Sequence, residues 1–151
     1  MSIAEVSESN ATRMTDEQIR EFLTARGVGV LALPDEEEAA PYAVPMSFGY
    51  DGDSALYFVF LLFGTESRKE TLSDRTERAR FVAYRAGSID DWQSVTVVGR
   101  IGAVGDEGWD ALRAAMENAW HPNLFSTATP MRGVEGYRLR VDEWIGIQRV
   151  E

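Results

Sequence analysis

Cysteine is absent from the chain, histidine occurs once, as His121, and lysine once, as Lys69. The first absence excludes disulfides, thiolate metal sites and a cysteine nucleophile together. A lone histidine cannot build a histidine-rich metal centre, so no metal site is expected. His121 lies in Trp120-His121-Pro122-Asn123 after a helical stretch, where a structural role and an acid–base role both remain open. Four motifs of strong meaning are also missing: GxGxxG, GxxxxGKS/T, HExxH and GxSxG. Their absence argues against a Rossmann dinucleotide domain, a P-loop enzyme, a zincin and an α/β-hydrolase. No apolar run approaches the roughly 20 residues of a membrane-spanning helix. Residues 1–13 have no basic start followed by an apolar stretch. They are therefore read as a mobile tail rather than a secretory signal, and a cytoplasmic location is expected.

What the chain has in excess is acid. Asp and Glu number 25 against 15 Lys and Arg, a net charge of −10. Such a surface repels nucleic acid and anionic lipid, and no basic patch offsets it, so neither partner is expected. Acid runs such as Asp35 to Glu38, together with the near-total loss of lysine, read as adaptation to high salt. At about 1 M salt the screening length falls to about 3 Å and the self-repulsion of the surface nearly vanishes. The 151 residues, 44% of them hydrophobic, suit a single packed domain, placed at residues 14–151.

Hydrophobic periodicity then predicts the elements. Thr15 and Gln18 fit a capping box, Asp16 and Glu17 suit a first turn, and Ile19, Phe22 and Leu23 make one stripe, with Gly27 as the stop. Strands are predicted over residues 28–33, 42–50 and 55–63, the last two joined by a hairpin at Asp51-Gly52-Asp53. A short helix over 66–73 precedes strands over 79–85 and 94–104, with a turn at 86–90. Asp106 is read as the cap of a second helix, with Trp109, Leu112, Met116 and Ala119 on one face. A final strand over 134–150 has Gly136 and Gly146 as bulge or bend points. The fold class is mostly β within α+β: a six- or seven-stranded antiparallel split β-barrel with Greek-key character and two to three flanking helices, since closure leaves no open edge.

Three segments carry candidate chemistry. Gly64-Thr65-Glu66-Ser67-Arg68-Lys69 leaves a strand and enters a helix, where free N–H groups and the helix dipole favour a phosphate. Arg68 and Lys69 are the one adjacent pair of bases in the chain. Arg68 offers a bidentate fork and Lys69 a point charge, although pairing with Glu66 and Glu70 explains the same residues without a ligand. Pro45-Met46-Ser47-Phe48 places a proline within a strand, which marks an edge or an opening where a flat ring could lie. Asp91-Trp92-Gln93-Ser94-Val95 combines an aromatic wall with an amide and a hydroxyl, the mixture ligand sites use, and equally the start of an ordinary strand.

Taken in order, these segments resemble the FMN-binding split barrels of the pyridoxamine 5′-phosphate oxidase-like superfamily, and its small members similar to nitroimidazole-resistance proteins. The resemblance rests on Val28-Gly29-Val30-Leu31, Val44-Pro45-Met46-Ser47-Phe48, Ser67-Arg68-Lys69, and Trp92-Gln93-Ser94-Val95 with Gly99-Arg100. It implies FMN as cofactor, with Pro45, Met46, Ser47 and Phe48 bordering the ring and Ser67, Arg68 and Lys69 holding the phosphate. Trp92, Gln93 and Ser94 would approach the flavin as well, in many relatives from the facing subunit. A homodimer with flavin at its interface is implied, acting as a flavin-dependent oxidoreductase with NAD(P)H as a transient reductant. The basic residues that the true oxidase uses for its substrate's phosphate have no equivalent, which argues against vitamin B6 oxidation. Small relatives also include deazaflavin and haem binders, so a non-catalytic binding or sensing protein is the alternative.

Overall fold

The computed structural model describes residues 10–61, 72–74, 76–118 and 134–150. Strand β1 (Thr12–Arg13) is followed by helix α1 (Asp16–Ala25) and strands β2 (Val28–Leu33), β3 (Tyr42–Ser47), β4 (Gly49–Tyr50) and β5 (Ala55–Leu61). Then come β6 (Arg78–Ser88), β7 (Asp91–Ala103), helix α2 (Trp109–Ala115) between two short 3₁₀ turns, and β8 (Val134–Arg149). All pairings are antiparallel, in the order β3-β2-β6-β7-β8-β5-β4, with β1 beside β8. This is a curled, split barrel of seven strands along its path, as the alternating patterns predict.

The split lies at Phe48. The segment read as one strand over 42–50 is two: β3 pairs with β2 at one edge of the sheet, and β4 pairs with β5 at the other. Between them Phe48 is fully buried, and its N–H donates to the Gly27 carbonyl at 2.9 Å. Its ring meets Phe81 edge-on at 4.9 Å, and Phe58 lies 5.3 Å from the same ring. One short segment of chain therefore supplies both sheet edges and draws them together.

Helix α1 starts as read, with the Thr15 hydroxyl accepting from the Gln18 N–H and the Gln18 side chain accepting from the Thr15 N–H. Ile19, Phe22 and Leu23 are buried and seal one end of the barrel. The stop differs from expectation: Arg26 turns extended at φ −102°, ψ 150°, and ends the helix without a left-handed Gly27. Residues 12 and 13, read as the end of the tail, pair with Ile147 and Gln148. Asp106 does not cap the second helix; it opens a 3₁₀ turn whose preceding residue, Gly105, makes no side-chain bond. The turn at 86–90 is shorter than read, because β6 runs on through a bulge to Ser88.

Two apolar layers result. Leu56, Phe58 and Phe60 point into the barrel with Phe81, Val95, Val97, Tyr137 and Leu139. Ala55, Tyr57 and Val59, on the opposite face of β5, pack beneath Trp109, Leu112, Ala115 and Met116 of the second helical segment. Ala119, read onto that same face, lies outside the described residues. Neither Gly136 nor Gly146 makes a bulge: both sit in register, opposite Val59 and Val95. They provide clearance instead, since a Cβ on Gly136 would meet Leu112 and Trp109, and one on Gly146 would meet Met14 and Ile19. The bulge in β8 falls at Asp142, where pairing shifts between Val98 and Gly99.

Candidate cofactor-binding face

With α1 filling one end of the barrel and α2 covering β5, the outer face of β2, β3, β6, β7 and the second half of β8 has no described helix over it. Alternation decides what it shows. In β2, Leu31 and Leu33 point inward, so Val28, Val30 and Ala32 point out; in β7, Val95 and Val97 point inward, so Ser94, Thr96 and Val98 point out. The registers join Pro45, Val30, Val82, Thr96 and Ile145 into one row across five strands. Four spacings of about 4.8 Å make that row roughly 19 Å wide. Beside it Ser47 faces Val28, while Tyr84, Ser94 and Ile147 stand opposite one another. Tyr84 is 60% exposed and Val28 44%, so apolar side chains of this face stand in solvent.

The predicted site residues divide by this geometry. Pro45, Ser47, Trp92 and Ser94 all lie on the outer face, the first two on β3 and the last two on β7 three strands away, and Pro45 lies on the edge strand, where its missing donor costs no ladder bond. Met46 and Phe48 point inward and are buried, so they support the face from behind. Gln93 also points inward, away from its neighbours, and bonds Arg85 and Gln148. Ser67, Arg68 and Lys69, like His121, lie outside the described residues. The sequence reading missed Val30, Val82, Thr96 and Ile145. Their signal was present: β2 reads Val-Gly-Val-Leu-Ala-Leu, apolar on both faces, as a strand covered on both sides does.

Electrostatics around the face are mixed. Arg78 and Arg100 share Asp142 at 3.6 and 3.7 Å, and Arg149 meets Asp90 at 2.6 Å. At the far end of β6 and β7, Arg85 clasps both oxygens of Asp91 at 2.7 and 2.9 Å. That hydrogen bonding holds the Asp91 carboxyl below the usual carboxylate range. A cavity of about 520 Å³ beside the end of β2 and the start of β6 is rimmed, among the described residues, by Asp35, Glu36, Glu37 and Glu77 with Arg78 as the base. The outer face suits a flat heteroaromatic: an apolar strip with hydroxyls of Ser47, Ser94 and Thr96 along it.

A family model described as pyridoxamine 5′-phosphate oxidase matches residues 15–148, nearly the whole described chain. The chain belongs to the pyridoxamine 5′-phosphate oxidase family. Solved structures agree on the fold. An FAD-binding protein of Mesorhizobium loti superposes with a TM-score of 0.70 at 20% identity, covering 91% of this chain and 96% of that one. A Bacteroides thetaiotaomicron protein named for 5-nitroimidazole antibiotic resistance gives 0.66 at 22% identity, covering 91% and 87%. An FAD and haem binding protein of Mycobacterium smegmatis gives 0.69 at 16% identity, covering 92% and 73%. No curated protein sequence matches. Membership of the pyridoxamine 5′-phosphate oxidase family establishes the architecture on which the outer face is built, and no helix among the described residues is long and apolar enough to cross a membrane.

Proposed function

We propose that this chain binds FMN on the outer sheet face, between two copies of itself, and serves as a flavin-dependent oxidoreductase. One observation carries the reading: Pro45, Ser47, Trp92 and Ser94, from two separate segments of the sequence, lie on the same uncovered apolar face, Ser47 and Ser94 three strand spacings apart. Pro45 and Val30 give the ring a flat bed, and the hydroxyls of Ser47 and Ser94 bond its polar edge. Met46 and Phe48 fix the strand beneath. Ser67, Arg68 and Lys69 hold the phosphate. A bound flavin supplies the electron chemistry, and the chain supplies binding, orientation and the exclusion of water. A second copy laid on the same face covers Val28 and Tyr84. NAD(P)H acts as the passing reductant.

The purified protein in molar salt should take up about one flavin per subunit, read from its absorbance after excess FMN is removed. A colourless protein would end the flavoprotein reading. Chromatography of the released flavin separates FMN from FAD, the cofactor for which two of the structural relatives are named. Bleaching of the flavin by NAD(P)H without oxygen supports turnover. Tight binding without bleaching favours a second reading, a flavin, deazaflavin or haem binder that stores or senses, which the Mycobacterium smegmatis relative named for FAD and haem brings forward.

A further inference from the structure

Beneath α1, on the inner side of the sheet, runs a chain of polar contacts that the outer face does not use. Asp91 clasps Arg85, whose Nε donates to Gln93 Oε1 at 3.1 Å. A guanidinium has donors and no acceptor, so Gln93 must turn its oxygen to Arg85 and its NH₂ the other way. That NH₂ donates to Gln148 Oε1 at 3.0 Å. Gln148 is thereby forced to point its own NH₂ away from Gln93. The residue is only 7% exposed, and among the described residues this NH₂ makes no hydrogen bond.

It lines a groove of about 320 Å³ walled by Phe22, Ala25 and Arg26 of the helix and its cap, and by Val150 at the end of β8. Among the described residues only Ser73 Oγ is a buried side-chain polar atom without a partner, so the Gln148 donor is open to the groove, where water or a ligand accepts from it. Arg85 is already neutralised by Asp91, whereas the Arg26 guanidinium, lying 5.7 Å from the Phe22 ring centre, has no carboxylate partner among the described residues. Glu21 on the same rim limits the total negative charge the groove accepts.

We propose that this groove is a second binding site, for a small monocarboxylate with an apolar body. Gln148 donates to a carboxylate oxygen, Arg26 supplies the opposite charge, and Phe22, Ala25 and Val150 take the apolar part. The polarity of the site is set two residues away, by Arg85 acting through Gln93.

The test uses benzoate as probe and benzylamine as control, followed by the side-chain NH₂ resonances of the ¹⁵N-labelled full chain. Benzoate should shift the Gln148 NH₂ signals saturably, and benzylamine should not. Gln148→Glu still accepts from Gln93 but replaces the donor with an anionic oxygen. It should weaken benzoate at least tenfold, about 1.4 kcal/mol, with melting temperature and flavin content unchanged. Gln93→Glu accepts from both Arg85 and Gln148, which reverses the Gln148 amide and turns its oxygen to the groove, so preference should pass to benzylamine. A wild-type protein whose Gln148 signals ignore benzoate has only water there, and the proposal falls. It falls equally if Gln148→Glu binds benzoate as well as wild type, or if folded Gln93→Glu keeps the benzoate preference. Should either variant fail to fold, the wild-type titration decides alone.

Discussion

Arg68 and Lys69 are the pair proposed to hold the phosphate, in a chain with 25 acids and a single lysine. Changing both to alanine should weaken FMN by several kcal/mol, since a hydrogen bond to a charged group is worth roughly 1.5–3 kcal/mol. Fluorescence titration of the apoprotein measures it, and unchanged affinity would mean that the two are surface charges only. Asp91 makes a different kind of prediction. Arg85 holds its carboxyl below the ordinary range in the folded chain. A depressed carboxylate contributes stability that is present above its unfolded pKa and is lost as pH falls through the folded one. Asp91→Asn should therefore flatten the acid limb of a stability-versus-pH curve, below about pH 4 where an unperturbed aspartate titrates, and change neutral pH little because solvent reaches the half-exposed pair and screens it.

At the scale of elements, the joint between α2 and β8 depends on the absence of a side chain. A Cβ on Gly136 would stand 2.5 Å from Leu112 Cδ1 and 2.7 Å from Trp109 Cζ3. Gly136→Ala should cost about 1–3 kcal/mol by forcing those side chains off their rotamers, read by chemical denaturation, and an unchanged midpoint would show that the helix slides freely. Sequence periodicity could see neither this nor the break at Phe48, because both depend on what lies opposite. Elements ruled by local chemistry were legible: the Thr15–Gln18 cap, the buried stripe of α1, and the Asp51 turn, whose side chain accepts from the N–H groups of residues 53, 54 and 55. Those ruled by register were not. The bulge at Asp142 is set by β7, and the inward turn of Gln93, beside outward Trp92 and Ser94, follows only once Val95 and Val97 are known to be core. The site was legible as segments, and the sheet alone shows which residues of each segment share a side.

For the molecule as a whole, the net charge of −10 predicts a dependence on salt. Melting temperature should fall as salt drops from molar to millimolar, because self-repulsion is no longer screened; a constant value would make the acidity a matter of solubility alone. The outer face predicts a dimer. Val82→Glu, near the middle of the row from Pro45 to Ile145, places a charge where a second copy would seat and should shift the protein toward monomer in light scattering, with loss of bound flavin. A dimer that survives this change would place the interface elsewhere.

The position of β8 has a further consequence, for the order in which the molecule is made. β8 pairs with β7 on one side and β5 on the other, joining two hairpin groups that have no other sheet contact across that gap, yet it follows every other strand in the sequence. A ribosome therefore releases β5 and β7 with bare edges, and neither finds its neighbour until residues 134–149 have emerged. Until then the growing chain is two half-sheets tethered at Phe48, each exposing backbone donors and acceptors to any strand that passes. The interval between synthesis of β7 and arrival of β8 is when the chain leaves the most strand edge unpaired.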